Sequence, residues 1–216
     1  DARVDLSAFG TLTLAGDETI GSLSEFSGSP SGTVALGTHR LTLTSGTGVD
    51  AEYFGAITGS GGITVTGGTH QLIGGTSGLD NTFTGEVRVT GGSLLLRANG
   101  STSAVVSGGT LSGTLGSGLT LTISDTGTFS NSRTQTIASL TQSGTGTLAG
   151  NQNLTITGAY NLSGGSVSNT ATITAGTFTM SGGSINSGAT VNSGSTKTLS
   201  GGTIAGTLGG AGATSV

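Results

Sequence analysis

Carboxylate side chains are the groups in this sequence that could most directly do chemistry, and nine of the ten acidic residues precede residue 109. The close pairs Asp17–Glu18 and Asp50/Glu52 could supply a general acid and a general base for cleaving a polysaccharide. Acidic residues in a repetitive sequence more often lie in turns, where they keep the surface solvated. We therefore expect that the protein is not an enzyme, and we keep a polysaccharide-acting enzyme as the alternative.

Aromatic residues beside carboxylates are the second group with a chemical use, because such surfaces can hold glycans. Tyr53 and Phe54 follow Asp50 and Glu52 directly, and these four residues are the predicted contact patch. Two further aromatic residues are expected on the surface: Phe83 and Tyr160. Four others are expected to fill gaps in the core: Phe9, Phe26, Phe129 and Phe178.

The sequence gives little support for a metal or cofactor site. It contains no cysteine, which excludes thiolate ligands and disulfides. His39 and His70 have no second histidine at a ligand spacing. Asp80–Asn81 is a weak pair of oxygen ligands for calcium, which needs several convergent oxygens. We expect no cofactor and no metal.

Charge and hydropathy argue against two classes of partner. The formal net charge is −4, and the six basic residues are scattered, so they form no continuous surface that could neutralise phosphates. The apolar runs are only a few residues long, too short for a membrane-spanning helix. We therefore expect no nucleic-acid partner.

Thr-x-Thr pairs are a further pattern with a chemical use, because a flat threonine array in register over many coils could bind ice. Measured from the glycine-rich repeat described below, these pairs shift by up to about three positions. Ice binding is therefore kept as an alternative. The pairs are Thr120/Thr122, Thr134/Thr136, Thr155/Thr157 and Thr172/Thr174.

The composition limits which folds could position these groups. Glycine supplies 44 of the 216 residues, and there is one proline, which excludes collagen. Hydrophobic residues make up 32% of the chain, too many for a flexible Gly/Ser linker. Because aromatic residues are only 4%, we expect a thin core built from many small aliphatic side chains.

A repeated motif runs through the chain: an apolar residue, Ser or Thr, two glycines, Ser or Thr, and a second apolar residue. Aligning the second apolar position gives one column with a nearly constant step in the sequence. Glycine, serine and threonine are poor helix formers, and no helical stripe is present. The column is therefore predicted to be an inward-facing core ladder: Leu94, Leu111, Phe129, Leu148, Val167, Ile185 and Ile204.

The repeat predicts an all-β fold, a single-stranded parallel β-helix (β-solenoid) with about 18–24 residues per coil and roughly ten coils. At about 4.8 Å per coil, the rod would be about 50 Å long. Each coil contacts only its neighbours, so we predict one continuous domain over residues 1–216. Longer, charged, loop-decorated coils are expected in 1–108, and regular, nearly uncharged coils in 109–216.

Six motifs follow one another between residues 17 and 96: DETIGSL at 17–23, GTVALG at 32–37, LTLT at 41–44, ITGSGGITV at 57–65, NTFTG at 81–85 and VTGGSL at 89–94. Their order resembles the passenger-associated repeat of bacterial autotransporters, a type V secretion family. The resemblance implies a right-handed parallel β-helix at the cell surface, and membrane attachment only through a C-terminal barrel outside this sequence.

Together these features predict a non-enzymatic structural or adhesive segment of a bacterial surface-exposed or secreted fibrous protein. It would act as a stiff stalk. Its expected partners are a host-cell or glycan surface, or a second copy that associates through the solenoid ends or faces, since exposed strand edges favour pairing.

Overall fold

The computed structural model describes residues 2–6, 9–25, 32–45, 50–74, 81–97 and 100–216. All strand pairs in these ranges are parallel, no helix occurs in them, and the strands stack as a β-solenoid of about 10 turns. The predicted fold class is therefore confirmed.

The described residues form 27 short strands. In chain order they are β1 (Arg3–Leu6), β2 (Thr11–Thr13), β3 (Glu18–Ile20), β4 (Ser22–Glu25), β5 (Thr33–Ala35), β6 (Leu41–Leu43), β7 (Asp50–Tyr53), β8 (Ala56–Thr58), β9 (Ile63–Val65), β10 (Thr69–Leu72), β11 (Val87–Val89), β12 (Ser93–Arg97), β13 (Ser103–Val106), β14 (Thr110–Thr114), β15 (Thr120–Ile123), β16 (Thr128–Asn131), β17 (Gln135–Ile137), β18 (Ser139–Gln142), β19 (Thr147–Gly150), β20 (Leu154–Leu162), β21 (Ser166–Val167), β22 (Thr172–Met180), β23 (Ser184–Ile185), β24 (Thr190–Leu199), β25 (Thr203–Ile204), β26 (Thr207–Gly209) and β27 (Ala213–Ser215).

The coils have three faces. Face 1 is the nine-stranded sheet from β7 to β25, with the β1–β4 pair beside β7. Face 2 follows face 1 in each coil; it comprises β2, β5 and β8 in the first half, and β17, β26 and the first parts of β20, β22 and β24 in the second half. Face 3 completes the coil and runs from β3 to the later parts of β20, β22 and β24, ending at β27.

Coil length changes once along the solenoid, close to the predicted boundary between its halves. On face 3, residues paired in register are 22 to 24 positions apart from Ile20 to Val89. From Val89 to Leu199 they are 17 to 20 positions apart. The coils of the first half are therefore several residues longer, and the stack continues through the change.

The predicted core ladder is present on face 1. Backbone pairing aligns its seven residues from Leu94 to Ile204 in one column. Six of them are buried, whereas Ile204 in the last coil is 40% exposed. The same column continues towards the N-terminus through His70 and Ala51. Truncating one of the buried leucines to alanine costs about 2–5 kcal/mol in a well-packed core.

Glycine forms the corner between face 3 and face 1 because the chain needs a left-handed residue there. Gly109 has φ +73°, and a Cβ at this position would collide with the carbonyl oxygen of Gly92 in the preceding coil. Gly92, Gly165 and Gly183 have similar φ values at the equivalent corner. The glycine pairs of the sequence repeat therefore mark tight corners against the neighbouring coil.

Buried polar side chains interrupt the aliphatic core at defined places. Gln142 lies in an inward column of face 3 between Ile123 and Leu162. Its Nε2 donates to the carbonyl oxygens of Gly146 and Ser166 at 2.8 Å each. The Tyr160 hydroxyl donates to Gln142 Oε1 at 2.7 Å. Because each of these buried polar groups has a hydrogen-bond partner in its own or a neighbouring coil, the bonds fix the register of adjacent coils.

Candidate functional site

The predicted contact patch at residues 50–54 is split between the outside and the inside of the solenoid. Glu52 is exposed, and its Oε1 accepts a hydrogen bond from Gln71 Nε2 of the next coil at 2.9 Å. Phe54 is half-buried, and its N–H donates to Glu25 Oε2 at 3.2 Å. The side chain of Asp50 lies outside the described part of the structure.

The prediction that Tyr53 is a surface contact is wrong, because this residue is fully buried. Side chains alternate across a strand, so Ala51 and Tyr53 face the core while Glu52 faces solvent. The Tyr53 hydroxyl donates to the carbonyl oxygen of Gly32 at 2.9 Å. Burial, aided by the nearby Glu25 carboxylate, raises the pKa of the Tyr53 hydroxyl well above its usual range. Tyr53 is therefore a core residue.

Several other aromatic residues also differ from expectation. Phe83 and Tyr160 were expected on the surface but are fully buried, and Phe9 was expected in the core but is 80% exposed. Phe129 and Phe178 are buried as predicted, whereas Phe26 lies outside the described residues. Aromatic side chains consequently contribute to the core far more than to a glycan-binding surface.

The structure instead brings charged side chains together on face 3 of the first half. We call this group the charged patch: Asp17, His39, Arg40, Glu86 and Arg88. These residues come from coils that follow one another in the stack, because β3, β6, β9 and β11 are successive strands of face 3. The patch therefore extends over about 14 Å along the rod.

Arg40 is the centre of the charged patch. Its Nη1 donates to Thr64 Oγ1 at 2.9 Å, and its Nη2 lies 3.3 Å from Glu86 Oε2. Its backbone N–H donates to Asp17 Oδ1 at 2.8 Å. The guanidinium lies over Gly62, where a Cβ would come within 3.1 Å of Arg40 Cζ and Nη2. The absence of a side chain at Gly62 therefore makes room for the Arg40 guanidinium.

The outer members of the charged patch retain free binding capacity. Arg88 Nε lies 3.3 Å from the same Glu86 oxygen, and the two terminal nitrogens of Arg88 have no partner among the described residues. His39 Nδ1 lies 3.8 Å from Asp17 Oδ1, an ion pair only when the imidazole is protonated. Ion pairs as exposed as these stabilise the fold by about 1 kcal/mol or less. A ligand can therefore replace them at little cost, so the side chains of Arg88 and His39 are available for binding.

The charged patch was not predicted because its members are far apart in the sequence. The signal that could have located it is the coil step. The separation between Asp17 and Arg40 equals one coil of the first half, and the separation between Arg40 and Glu86 equals two.

Hydroxyl side chains form two further columns on the outside of face 3. The mid-face column contains mostly threonine and runs in register over eleven coils: Thr19, Thr42, Thr64, Arg88, Val105, Thr122, Thr141, Asn161, Thr179, Thr198 and Ser215. The edge column lies two residues further along each coil, and each of its N–H groups donates to the preceding coil: Thr44, Thr66, Thr90, Ser107, Ser124, Ser143, Ser163, Ser181 and Ser200.

The predicted Thr-x-Thr pairs do not together form one array. Thr120 and Thr122 lie on face 3, whereas Thr136, Thr155 and Thr174 are aligned on face 2. The hydroxyl surface of face 3 arises instead from Thr-x-Thr and Thr-x-Ser positions next to the glycine corners, and Arg88, Val105 and Asn161 interrupt its mid-face column.

The described ranges contain no group of three His, Cys, Asp or Glu side chains that could hold a metal ion. Asp80 of the weak calcium pair is outside the described residues. Its neighbour Asn81 is buried; its Nδ2 donates to the carbonyl oxygens of Leu72 and Arg97, and its Oδ1 accepts from the N–H of Ile57. Asn81 thus joins successive coils.

Comparisons of the chain with family models, with curated proteins and with solved structures each returned no match. Among the described residues there is no helix with the length and hydropathy needed to cross a membrane.

Proposed function

We propose that the chain is a non-enzymatic, stiff segment of a bacterial surface-exposed or secreted fibrous protein, and that it acts as both a spacer and an adhesive surface. The observation that carries the proposal is the unbroken in-register column from Ala51 to Ile204 on face 1. A chain that pairs with itself coil after coil resists bending, because any bend would break backbone hydrogen bonds. An autotransporter passenger agrees with this architecture and with the resemblance of residues 17–96.

We assign the adhesive contact to the charged patch. Arginine forks bind the carboxylates of acidic sugars in two-point hydrogen bonds. The neighbouring hydroxyls of Thr19, Thr42 and Thr66 are suited to sugar hydroxyl groups, and the carboxylate of Asp17 can accept from them. The ligand class favoured by this combination is an acidic glycan, bound along the rod over about 14 Å.

Self-association is the other contact that the structure supports. The last coil leaves Ile204 40% exposed and Leu208 half-buried. At the other end of the stack, a cavity of about 190 Å³ is lined mainly by apolar residues such as Val4, Leu12 and Ile20, together with Thr13 and Glu18. These aliphatic side chains and strand edges are suited to a covering coil, which more of the same chain, a cap or a second copy could supply.

The test is a titration of the fluorescently labelled chain onto immobilised acidic glycans, neutral glycans, bacterial cells, host cells and immobilised copies of itself. Arg88→Gln should weaken binding to acidic glycans about ten- to hundredfold, because it removes a charge-assisted hydrogen bond. Arg133→Gln is the matched control, since Arg133 is exposed and distant in the stack. Equal binding by both variants would contradict the assignment to the charged patch. No binding to any surface would leave the spacer role alone.

Ice binding is the second candidate, and the hydroxyl columns of face 3 favour it. They form a lattice of about 4.8 Å between coils and about 6.7 Å between columns. A thermal-hysteresis measurement on the same sample separates this candidate from glycan adhesion, because only an ice-binding surface would lower the freezing point below the melting point.

A further inference from the structure

We propose that His70 makes the first half of the solenoid acid-sensitive: protonation of its buried imidazole in mildly acidic solution loosens face 1 between β7 and β12. This inference concerns the stability of the rod and does not depend on the adhesive role.

The position of His70 is unusual because it occupies the aliphatic core ladder. Its backbone pairs in register with Ala51 on one side and Leu94 on the other. The side chain is completely buried. Every residue that follows it in this column is aliphatic or aromatic, so the imidazole replaces an apolar side chain in the stack.

The hydrogen bonds of His70 fit a neutral ring. Nε2 lies 3.0 Å from the carbonyl oxygen of Gly67 and 3.1 Å from Ser45 Oγ. A carbonyl oxygen only accepts, so Nε2 carries the proton and Nδ1 is the unprotonated nitrogen. Nδ1 is buried and has no hydrogen-bond partner in the described part of the chain. A second proton would therefore place an N–H donor, and a full charge, where none of the described residues offers an acceptor.

Within the described ranges, no charged group faces the ring to stabilise the imidazolium. On β7, Glu52 is exposed and pairs with Gln71, and the Tyr53 hydroxyl donates to Gly32. On β12, Arg97 is exposed. Across the core, β6 and β9 carry no titratable side chain, and Arg88 on β11 is on the outer surface. Asp50 on β7 pairs with Thr69 rather than with His70, and its side chain lies outside the described residues.

These surroundings set the direction of the pH effect. Burial lowers the pKa of His70 below its ordinary value, and the hydrogen bond to Gly67 opposes this only in part. The unfolded chain therefore binds a proton at a higher pH than the folded chain does. Stability is complete above the unfolded pKa of about 6.5 and falls as the pH drops below it, by at most tenfold in the unfolding equilibrium for each pH unit.

The experiment follows the imidazole signals of the full chain by NMR from pH 7.5 to 5.0, with urea denaturation at the same pH values. The chain has only two histidines, so the imidazole signals of His70 need to be distinguished only from those of His39. We expect the His70 imidazole to stay neutral until backbone amides of β10 and β12 lose protection from exchange. We also expect the wild type to lose stability between pH 7 and 5.

Variants separate the effect of His70 from the general effects of acid. His70→Leu restores the aliphatic column and His70→Gln keeps a neutral polar side chain, so both should flatten the stability profile between pH 7 and 5. A His70 signal that titrates near the unfolded value of about 6.5, with no loss of amide protection, would overturn the proposal. The wild-type titration decides the question even if His70→Leu does not fold.

Discussion

At the residue scale, the solenoid is specified by a few buried polar side chains among many interchangeable aliphatic ones. Tyr160 and Gln142 join adjacent coils by a buried 2.7 Å hydrogen bond, and the Tyr160 ring packs against Phe178 with centroids 5.2 Å apart. Burial raises the pKa of the Tyr160 hydroxyl far above its usual range, so the hydroxyl is a neutral donor near neutral pH.

Removing the hydroxyl of Tyr160 tests this interpretation. Tyr160→Phe keeps the ring and leaves Gln142 Oε1 buried without its partner, which should lower the free energy of unfolding by about 1–3 kcal/mol. Urea denaturation measures the change. The exposed residue Thr141, next to Gln142 in the preceding coil, is the control, and Thr141→Ala should change stability by less than about 0.5 kcal/mol. Equal effects of the two substitutions would contradict a stabilising role for the Tyr160–Gln142 bond.

At the scale of elements, the glycine corners let the three faces of each coil close tightly on the coil before. Gly109 has φ +73° and no room for a side chain, so Gly109→Ala should destabilise the protein by at least about 1–2 kcal/mol. Gly118 also lies in a turn, but a Cβ there would meet nothing within 4 Å. Gly118→Ala should be neutral or slightly stabilising, and thermal denaturation of both variants checks the contrast.

The elements also explain which parts of the structure could be predicted from the sequence. The column from Leu94 to Ile204 was predictable because its step is nearly constant and its side chains are all apolar. The inward orientation of Tyr53 was also predictable, because polar and apolar residues alternate in Asp50-Ala51-Glu52-Tyr53 and side chains alternate between the two sides of a strand. The prediction of one contact patch over this segment did not take that alternation into account. The charged patch depends on aligning coils of unequal length, and no repeated motif marks that alignment in the first half.

At the scale of the whole molecule, a chain of mostly small polar residues forms a rod because the strands of each coil pair in register with those of the next. The coils become shorter after Val89, yet the columns of faces 1 and 3 continue through the change. The stack therefore tolerates coils of different length. This tolerance allows charged side chains to be added to the surface without altering the core.

The central claim, one stiff stack from β3 to β27, is tested most directly by spin-label distances along the mid-face column. The chain has no cysteine, so pairs of labels can be introduced by Thr198→Cys together with Thr122→Cys, Arg88→Cys or Thr19→Cys. These positions are four, six and nine coils apart in register. The account predicts narrow distributions centred near about 19, 29 and 43 Å, rising by about 4.8 Å per coil. Broad distributions, or a Thr19–Thr198 distance well below the linear value, would contradict it.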